Sequence, residues 1–207
     1  MLVLSDFSPQ EPVPRAHPWG KTGYAEGGGA YYDFRSNPHL IRSVLEDFIP
    51  YASQPAVERF YQLLEMLNGP DSSLETNDCA LSGPHEPAPS IFRGTVGIGG
   101  RLEFFYRSLE RNLSREAVSW LVFLFEIYAQ RAMPDMLQGV LCLKMVETEF
   151  LRAASENQSG HRVRVTFNVY SNSELEAWET LSTMFTGLLE VFKRVEKAHH
   201  EKLPEFP

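Results

Sequence analysis

The sequence predicts an α+β fold: a two-layer α/β sandwich with a mostly antiparallel sheet, plus an N-terminal helical hairpin. From residue 91 onward the hydrophobic pattern changes in the order strand, helix, strand, strand, helix, a βαββα arrangement. In residues 37–69, apolar residues instead recur with helical spacing in two segments, and Pro50 lies between them. The chain has 207 residues, 43% of them hydrophobic, which is enough for one globular domain with its own core.

The first third of the chain divides into an irregular segment and the predicted hairpin. Residues 1–36 contain four prolines between 9 and 18 and three successive glycines at 27–29, a composition typical of irregular structure. Asn37 and Pro38 then mark the start of a helix that Pro50 ends. A second helix runs from Pro55 to Gly69. The short connection between them predicts antiparallel packing.

The middle of the chain is predicted to contain a loop, a strand and a helix. Residues 70–90 are rich in Pro, Ser, Asn, Asp and Gly, so we expect an acidic loop there. Residues 92–107 indicate an extended segment, with Gly97, Gly99 and Gly100 marking a bend. Ser114 is a suitable N-cap for a helix that ends near Arg131.

The last third carries the clearest patterns, although one segment is ambiguous. Residues 139–150 suit either a buried strand or a helix, and their length and β-branched content favour the strand. Residues 162–169 alternate between polar and apolar side chains, which predicts a half-buried antiparallel strand. The Ser173-x-x-Glu176 capping box then opens a long terminal helix. We therefore assign residues 91–207 to one βαββα unit.

The acidic residues are unevenly distributed along the chain. The formal net charge is −8, and no Lys or Arg occurs between Arg59 and Arg93, where five acidic residues lie. Four of them fall in the predicted loop: Asp71, Glu75, Asp78 and Glu86. Concentrated negative charge attracts a cationic protein and accelerates its association. The alternative is a solvated loop whose charge only aids solubility. The acidity argues against nucleic acid as a partner.

A second candidate site lies on the predicted sheet. Glu147 and Glu149 alternate on one strand, and Arg162 and Arg164 alternate on the next. These four side chains would either surround a pocket or pair with each other across the sheet. Gly20-Lys21-Thr22 and Gly97-Ile98-Gly99 match only fragments of nucleotide-binding motifs. The spacing of the histidines and of the two cysteines predicts no metal site, and we expect no cofactor and no catalytic residues.

These observations favour a non-enzymatic acidic protein-binding domain over an enzyme. More narrowly, we expect an intracellular inhibitor or immunity protein that neutralises a cationic toxin or nuclease. One alternative is an enzyme or small-molecule-binding domain with a pocket on the sheet face. Another is an assembly protein that forms a homo-oligomer through the terminal helix. The N-terminus lacks a basic region, and no apolar run approaches the ~20 residues of a membrane span, so we expect a cytoplasmic location without membrane contact.

Overall fold

A mixed β-sheet forms the centre of the molecule. The structure, a computed structural model, describes residues 1–6, 13–16, 23–24, 30–87, 94–134, 136, 138–151 and 158–200. The sheet is built from β1 (Leu2–Asp6), β2 (Val13–Ala16), β5 (Leu74–His85), β6 (Val96–Tyr106), β7 (Gly139–Leu151) and β8 (Gln158–Ser171). A separate pair joins β3 (Gly23–Tyr24) and β4 (Ala30–Tyr31).

The strand order across the sheet is β1-β7-β8-β6-β5. The four long strands, β5 to β8, pair antiparallel with their neighbours, whereas β1 and β2 both run parallel to β7 along its outer edge. The sheet is therefore mostly antiparallel. The strand alternative for residues 139–150 is confirmed, because β7 occupies this segment and pairs with β8 over its whole length.

The helices are α1 (Pro55–Asn68), α2 (Leu109–Leu113), α3 (Arg115–Ala132) and α4 (Glu174–His200). Helices α1, α3 and α4 contribute to one apolar core with one face of the sheet, which we call the helix-side face. The short α2 packs through Leu109 and Leu113 near Phe105 and Phe150, on the opposite face. The predicted α+β class and the βαββα order are confirmed.

The core follows from the alternation of apolar residues along the strands. Leu141 and Leu143 of β7 and Val163 of β8 are completely buried on the helix-side face. The ring of Phe185 on α4 lies 5.0 Å from the rings of both Phe60 on α1 and Phe167 on β8. Burying each such side chain is worth about 1.5–3 kcal/mol, so these contacts fix α1 and α4 against the sheet.

The predicted helix starts of α3 and α4 are confirmed by their capping hydrogen bonds. The backbone N–H of Ala117 donates to Ser114 Oγ at 3.2 Å, and that of Glu176 donates to Ser173 Oγ at 3.3 Å. These bonds satisfy donors that a helix leaves free at its first turn. The start of α4 is thus encoded locally.

The predicted helical hairpin at 37–69 is wrong in its first half. Only 3₁₀ turns occur there, at Pro38–Leu40 and Ile49–Tyr51, and α1 is the only α-helix of this region. Ile41 and Phe48 are nevertheless buried, and Phe48 stacks on Phe60 with the ring centroids 4.7 Å apart. The apolar repeat therefore reflects side chains that pack into the core from successive tight turns, not a continuous helix.

Two predicted irregular segments contain strands. Residues 74–85 of the expected loop at 70–90 form β5, because Leu74 and Leu81 are buried and β6 provides the backbone partners. Two register shifts in β5 break the alternation that would have identified it. Within residues 1–36, β1 and β2 complete the free edge of β7. Gly20-Lys21-Thr22 and the glycines at 27–29 lie outside the described residues.

Candidate functional site

A groove runs along one side of α4. Its volume is about 890 Å³, and it is bounded by residues 132–134, Met136 and Gln138 after α3, by Ser171 and Asn172, and by α4 from Glu176 to Glu190. We call it the α4 groove. Its size lies in the range of ordinary ligand sites, ~300–1,000 Å³. Sequence reasoning did not identify this position.

Helical periodicity creates the groove wall. The lining residues of α4 recur at spacings of three or four, or are adjacent, so they form one face of the helix: Glu176, Glu179, Thr180, Thr183, Thr186, Gly187 and Glu190. Residues on the other face, such as Leu181, Phe185 and Leu188, are buried in the core. The core contacts therefore fix which side chains face the groove.

Gly187 allows the segment after α3 to approach α4 closely. A Cβ atom at this position would lie 2.4 Å from the Cγ and Sδ atoms of Met133, which is too close for any real contact. Met133 and Met136 are both largely buried, and together with Gly187 they line the groove. The part of the groove beside Gly187, about one turn before Glu190, is therefore apolar, with methionine side chains that can adapt to a neighbour.

The threonines of the groove wall offer acceptors rather than donors. The hydroxyl groups of Thr180, Thr183 and Thr186 donate to carbonyl oxygens one turn earlier, at 2.7, 3.0 and 2.9 Å. Their remaining capacity toward the groove is as hydrogen-bond acceptors. The glutamates of the same face are also acceptors when ionised. Among the described lining residues there is no Lys, Arg or His.

The negative charge of the groove is concentrated at one end. Glu190 accepts a hydrogen bond from Arg194 Nε at 2.9 Å, so its charge is largely balanced. Glu176 and Glu179 are exposed and have no ion-pair partner among the described residues. Two unbalanced carboxylates on one helix face create a local site for a cation.

The acidic residues predicted to bind a partner do not form one surface. Glu75 is only 2% exposed and lies 3.9 Å from Arg35 Nη1, and Asp78 accepts a bond from Arg101 Nε at 2.8 Å. Asp71 and Glu86 are exposed but lie beyond opposite ends of β5, roughly 40 Å apart along the strand. The role of these four residues in binding stays a prediction.

The second predicted site is not assembled. In the register of β7 and β8, Val146 faces Arg162 and Glu147 faces His161. Glu147 and Glu149 therefore lie on the helix-side face, whereas Arg162 and Arg164 lie on the opposite face, because adjacent strand residues alternate. A pocket containing all four side chains is excluded by this geometry, and so is pairing of these arginines with these glutamates.

The arginines bind a carboxylate that the sequence did not reveal. Glu103 is completely buried, and its carboxylate accepts hydrogen bonds from Arg162 Nε at 2.8 Å, Arg164 Nε at 2.6 Å and Asn77 Nδ2 at 2.9 Å. Arg162 also donates to Thr148 Oγ1 at 2.7 Å. We call these five residues the Glu103 network; it links β5, β6, β7 and β8.

The charge state of the Glu103 network suits a structural role. Burial alone would raise the pKa of Glu103, but the charges of Arg162 and Arg164 and their hydrogen bonds outweigh burial, so the pKa lies below its usual value. A carboxylate that stays ionised and saturated with donors is a poor proton donor or acceptor. The only sequence signal for it was a lone glutamate between Leu102 and Phe104.

The other reactive side chains that the structure describes form no alternative centre. Cys79 and Cys142 are free thiols, and burial raises the pKa of both, which lowers their reactivity. Within the described part of the chain, no three His, Cys, Asp or Glu side chains are grouped as metal ligands. On the described side chains of α4, Leu175 is the exposed large hydrophobic residue, so no apolar strip supports a helix-mediated oligomer.

Comparison with known proteins adds no assignment to this geometry. Of the helices that the structure describes, none is both long and apolar enough to cross a membrane. The chain matches no protein-family model, and neither a curated protein nor a solved structure shows significant similarity to it.

Proposed function

We propose that this chain is a non-enzymatic protein-binding domain whose α4 groove holds a cationic segment of a partner protein. The observation that carries the proposal is the lining of the groove: apart from Gly187, its α4 wall consists of glutamates and of threonines whose hydroxyl protons are already donated within the helix. Such a wall is complementary to a ligand that supplies both positive charge and donors. A narrower role, as an inhibitor or immunity protein, stays a prediction.

The proposal retains the cationic partner expected from the sequence but moves the contact surface. Glu176 and Glu179 replace the four acidic residues around β5, because their carboxylates are exposed and have no ion-pair partner in the described part of the chain, while those of Glu75 and Asp78 lie beside arginines. The four side chains that were predicted to surround an enzyme's pocket lie on opposite faces of the sheet. We therefore place binding, not catalysis, at the α4 groove.

The test compares two double variants with the same change in net charge. Glu176→Gln with Glu179→Gln neutralises the groove, whereas Asp71→Asn with Glu86→Gln neutralises two exposed acids outside it. The probe is fluorescein-labelled octa-arginine, and fluorescence anisotropy gives its Kd. We expect about a fivefold increase in Kd for the groove variant, and less than twofold for the control, because direct pairing exceeds long-range attraction.

Two results would contradict the proposal. Equal weakening by both double variants would show that the probe responds to net charge alone. No weakening by Glu176→Gln with Glu179→Gln, in protein that unfolds as the wild type does, would show that the groove is not the binding surface.

A further inference from the structure

Two cations lie directly opposite each other on the sheet face that is turned away from α1, α3 and α4. In the register of β7 and β8, Lys144 pairs with Arg164. Their neighbours in the strands, Leu143 and Val163, are buried on the helix-side face, so Lys144 and Arg164 lie on the opposite face. Like charges at directly opposed positions, ~4.5–5.5 Å apart at Cβ, destabilise a sheet. This pair is therefore unfavourable unless an anion lies beside it.

The carboxylates that contact these two cations come from the strands on either side of them. Asp6 is the neighbour of Lys144 on β1, and its Oδ2 lies 3.0 Å from Lys144 Nζ. Glu103 is the neighbour of Arg164 on β6, and its Oε1 accepts a hydrogen bond from Arg164 Nε at 2.6 Å. Across β1, β7, β8 and β6 the charges thus follow the order negative, positive, positive, negative. Among the residues that the structure describes, neither cation has a second carboxylate partner.

Hydrogen-bond donors remain available between the two cations. Arg164 directs Nε and Nη2 to the same oxygen of Glu103, which leaves its Nη1 group available. The ammonium group of Lys144 has three donors, and one of them points to Asp6. Thr166 follows Arg164 by two residues on the same face, and its hydroxyl group has no hydrogen-bond partner in the described part of the chain. Three donor groups thus border one position on this face.

This position lies at the border between the buried and the exposed part of the face. The side chains of Glu103 and Arg162 are buried, whereas those of Lys144 and Arg164 are 26% and 34% exposed. An anion from solvent can therefore reach the two exposed cations, and salt screens partly buried charges less than fully exposed ones. Arg162 lies diagonally across from Lys144 and adds positive charge.

We propose that Lys144, Arg164 and Thr166 bind a phosphate group on this face of the sheet. A phosphate between the two cations makes the charges alternate along the row, which removes the unfavourable contact. The guanidinium group offers a planar fork of donors to phosphate oxygens, and the lysine adds a compact charge. Three donor groups suit an anion with at least three oxygens, whereas a carboxylate has only two. The site lies outside the α4 groove and does not depend on the proposed function.

The test follows the ¹⁵N-labelled full chain by NMR during titration with potassium phosphate, with the ionic strength held constant by potassium chloride. We expect saturable shifts of the amides around Lys144 and Arg164 and of the Arg164 Nε–H group. A parallel titration with glycerol 3-phosphate distinguishes two sources of the same chemistry. Tighter binding of glycerol 3-phosphate would indicate a small organic phosphate as the ligand, and equal binding would indicate that the phosphate group alone is recognised.

Three variants relate binding to the two cations. Lys144→Met should raise the Kd for phosphate at least tenfold, because it removes a charge that contacts the anion. Lys193→Met, at an exposed position of α4, makes the same change in net charge and should raise the Kd less than twofold. Asp6→Asn breaks the same ion pair between β1 and β7 but frees the ammonium group, so it should lower the Kd about twofold.

Three results would overturn the phosphate site. Equal weakening by Lys144→Met and Lys193→Met would show that phosphate responds to net charge alone. Weakening by Asp6→Asn as large as that by Lys144→Met would show that binding depends on the attachment of β1 and not on the cation. Shifts around Lys144 and Arg164 that fail to saturate with either phosphate compound would show that no phosphate binds there.

Discussion

The two longest stretches of this chain without Lys or Arg produce different surfaces. The first lies between Arg59 and Arg93 and the second between Arg164 and Lys193. In the first, the acidic residues are spread along β5 and beyond its ends. Glu75 and Asp78 lie beside arginines, and Asn77 belongs to the Glu103 network. In the second, helical spacing places three of the four glutamates on the groove wall. The carboxylates of the first stretch are therefore spread along a strand, whereas most of those in the second lie on one face of a helix.

The comparison implies that carboxylates in the sheet stabilise the fold, whereas those of the groove do not. Glu103→Gln should lower the free energy of unfolding by about 3–5 kcal/mol, because it leaves Arg162 buried without its counter-charge. Urea unfolding measures this loss. Glu179→Gln on exposed α4 is the control and should change stability by less than about 1 kcal/mol. A loss below about 1 kcal/mol for Glu103→Gln would show that the network contributes little.

The pH dependence of the free energy of unfolding should also show the contribution of Glu103. Because the pKa of Glu103 is lower in the folded state than in the unfolded state, its contribution is complete above the unfolded value, about 4.3. The contribution is lost as the pH falls from there through the folded pKa. Unfolding free energies between pH 7 and pH 3 should therefore fall more steeply for the wild type than for Glu103→Gln. Parallel curves would contradict this assignment.

The smallest expected effect concerns the balanced end of the α4 groove. Arg194→Ala frees Glu190 and should lower the Kd for octa-arginine about twofold, since an exposed i, i+4 pair is worth only ~0.3–0.5 kcal/mol. Lys193→Ala removes the same charge without freeing a groove carboxylate, and it is the matched control. An equal gain from both variants would mean that only net charge has changed.

The sequence predicted the elements that depend on neighbouring residues, and it missed those that depend on contacts with distant parts of the chain. The alternation in β8 and the caps at Ser114 and Ser173 identified their elements, because adjacent residues carry the signal. β1 was missed because its partner, β7, lies more than 130 residues away. β5 was missed because its bulges interrupt the alternation.

The candidate site was harder to predict than the fold. The second Lys/Arg-free stretch was visible in the sequence, and helical spacing would have placed Glu176, Glu179 and Glu190 on one face. What could not be predicted is the opposite wall, because Met133 contacts Gly187 of α4 from a segment more than 50 residues earlier in the chain. Arg162 and Arg164 were recognised, but their partner Glu103 is on a strand 59 residues away from Arg162.

The most direct test of the central claim is to map where a cation binds. Amide chemical shifts of the ¹⁵N-labelled chain would be followed during titration with octa-arginine at low salt. We expect the shifts to concentrate in the part of the chain that lines the α4 groove, residues 132–134, 136, 138, 171, 172 and 176–190. Shifts concentrated in residues 71–86, with the groove unchanged, would contradict this expectation and restore the acidic residues around β5 as the binding surface.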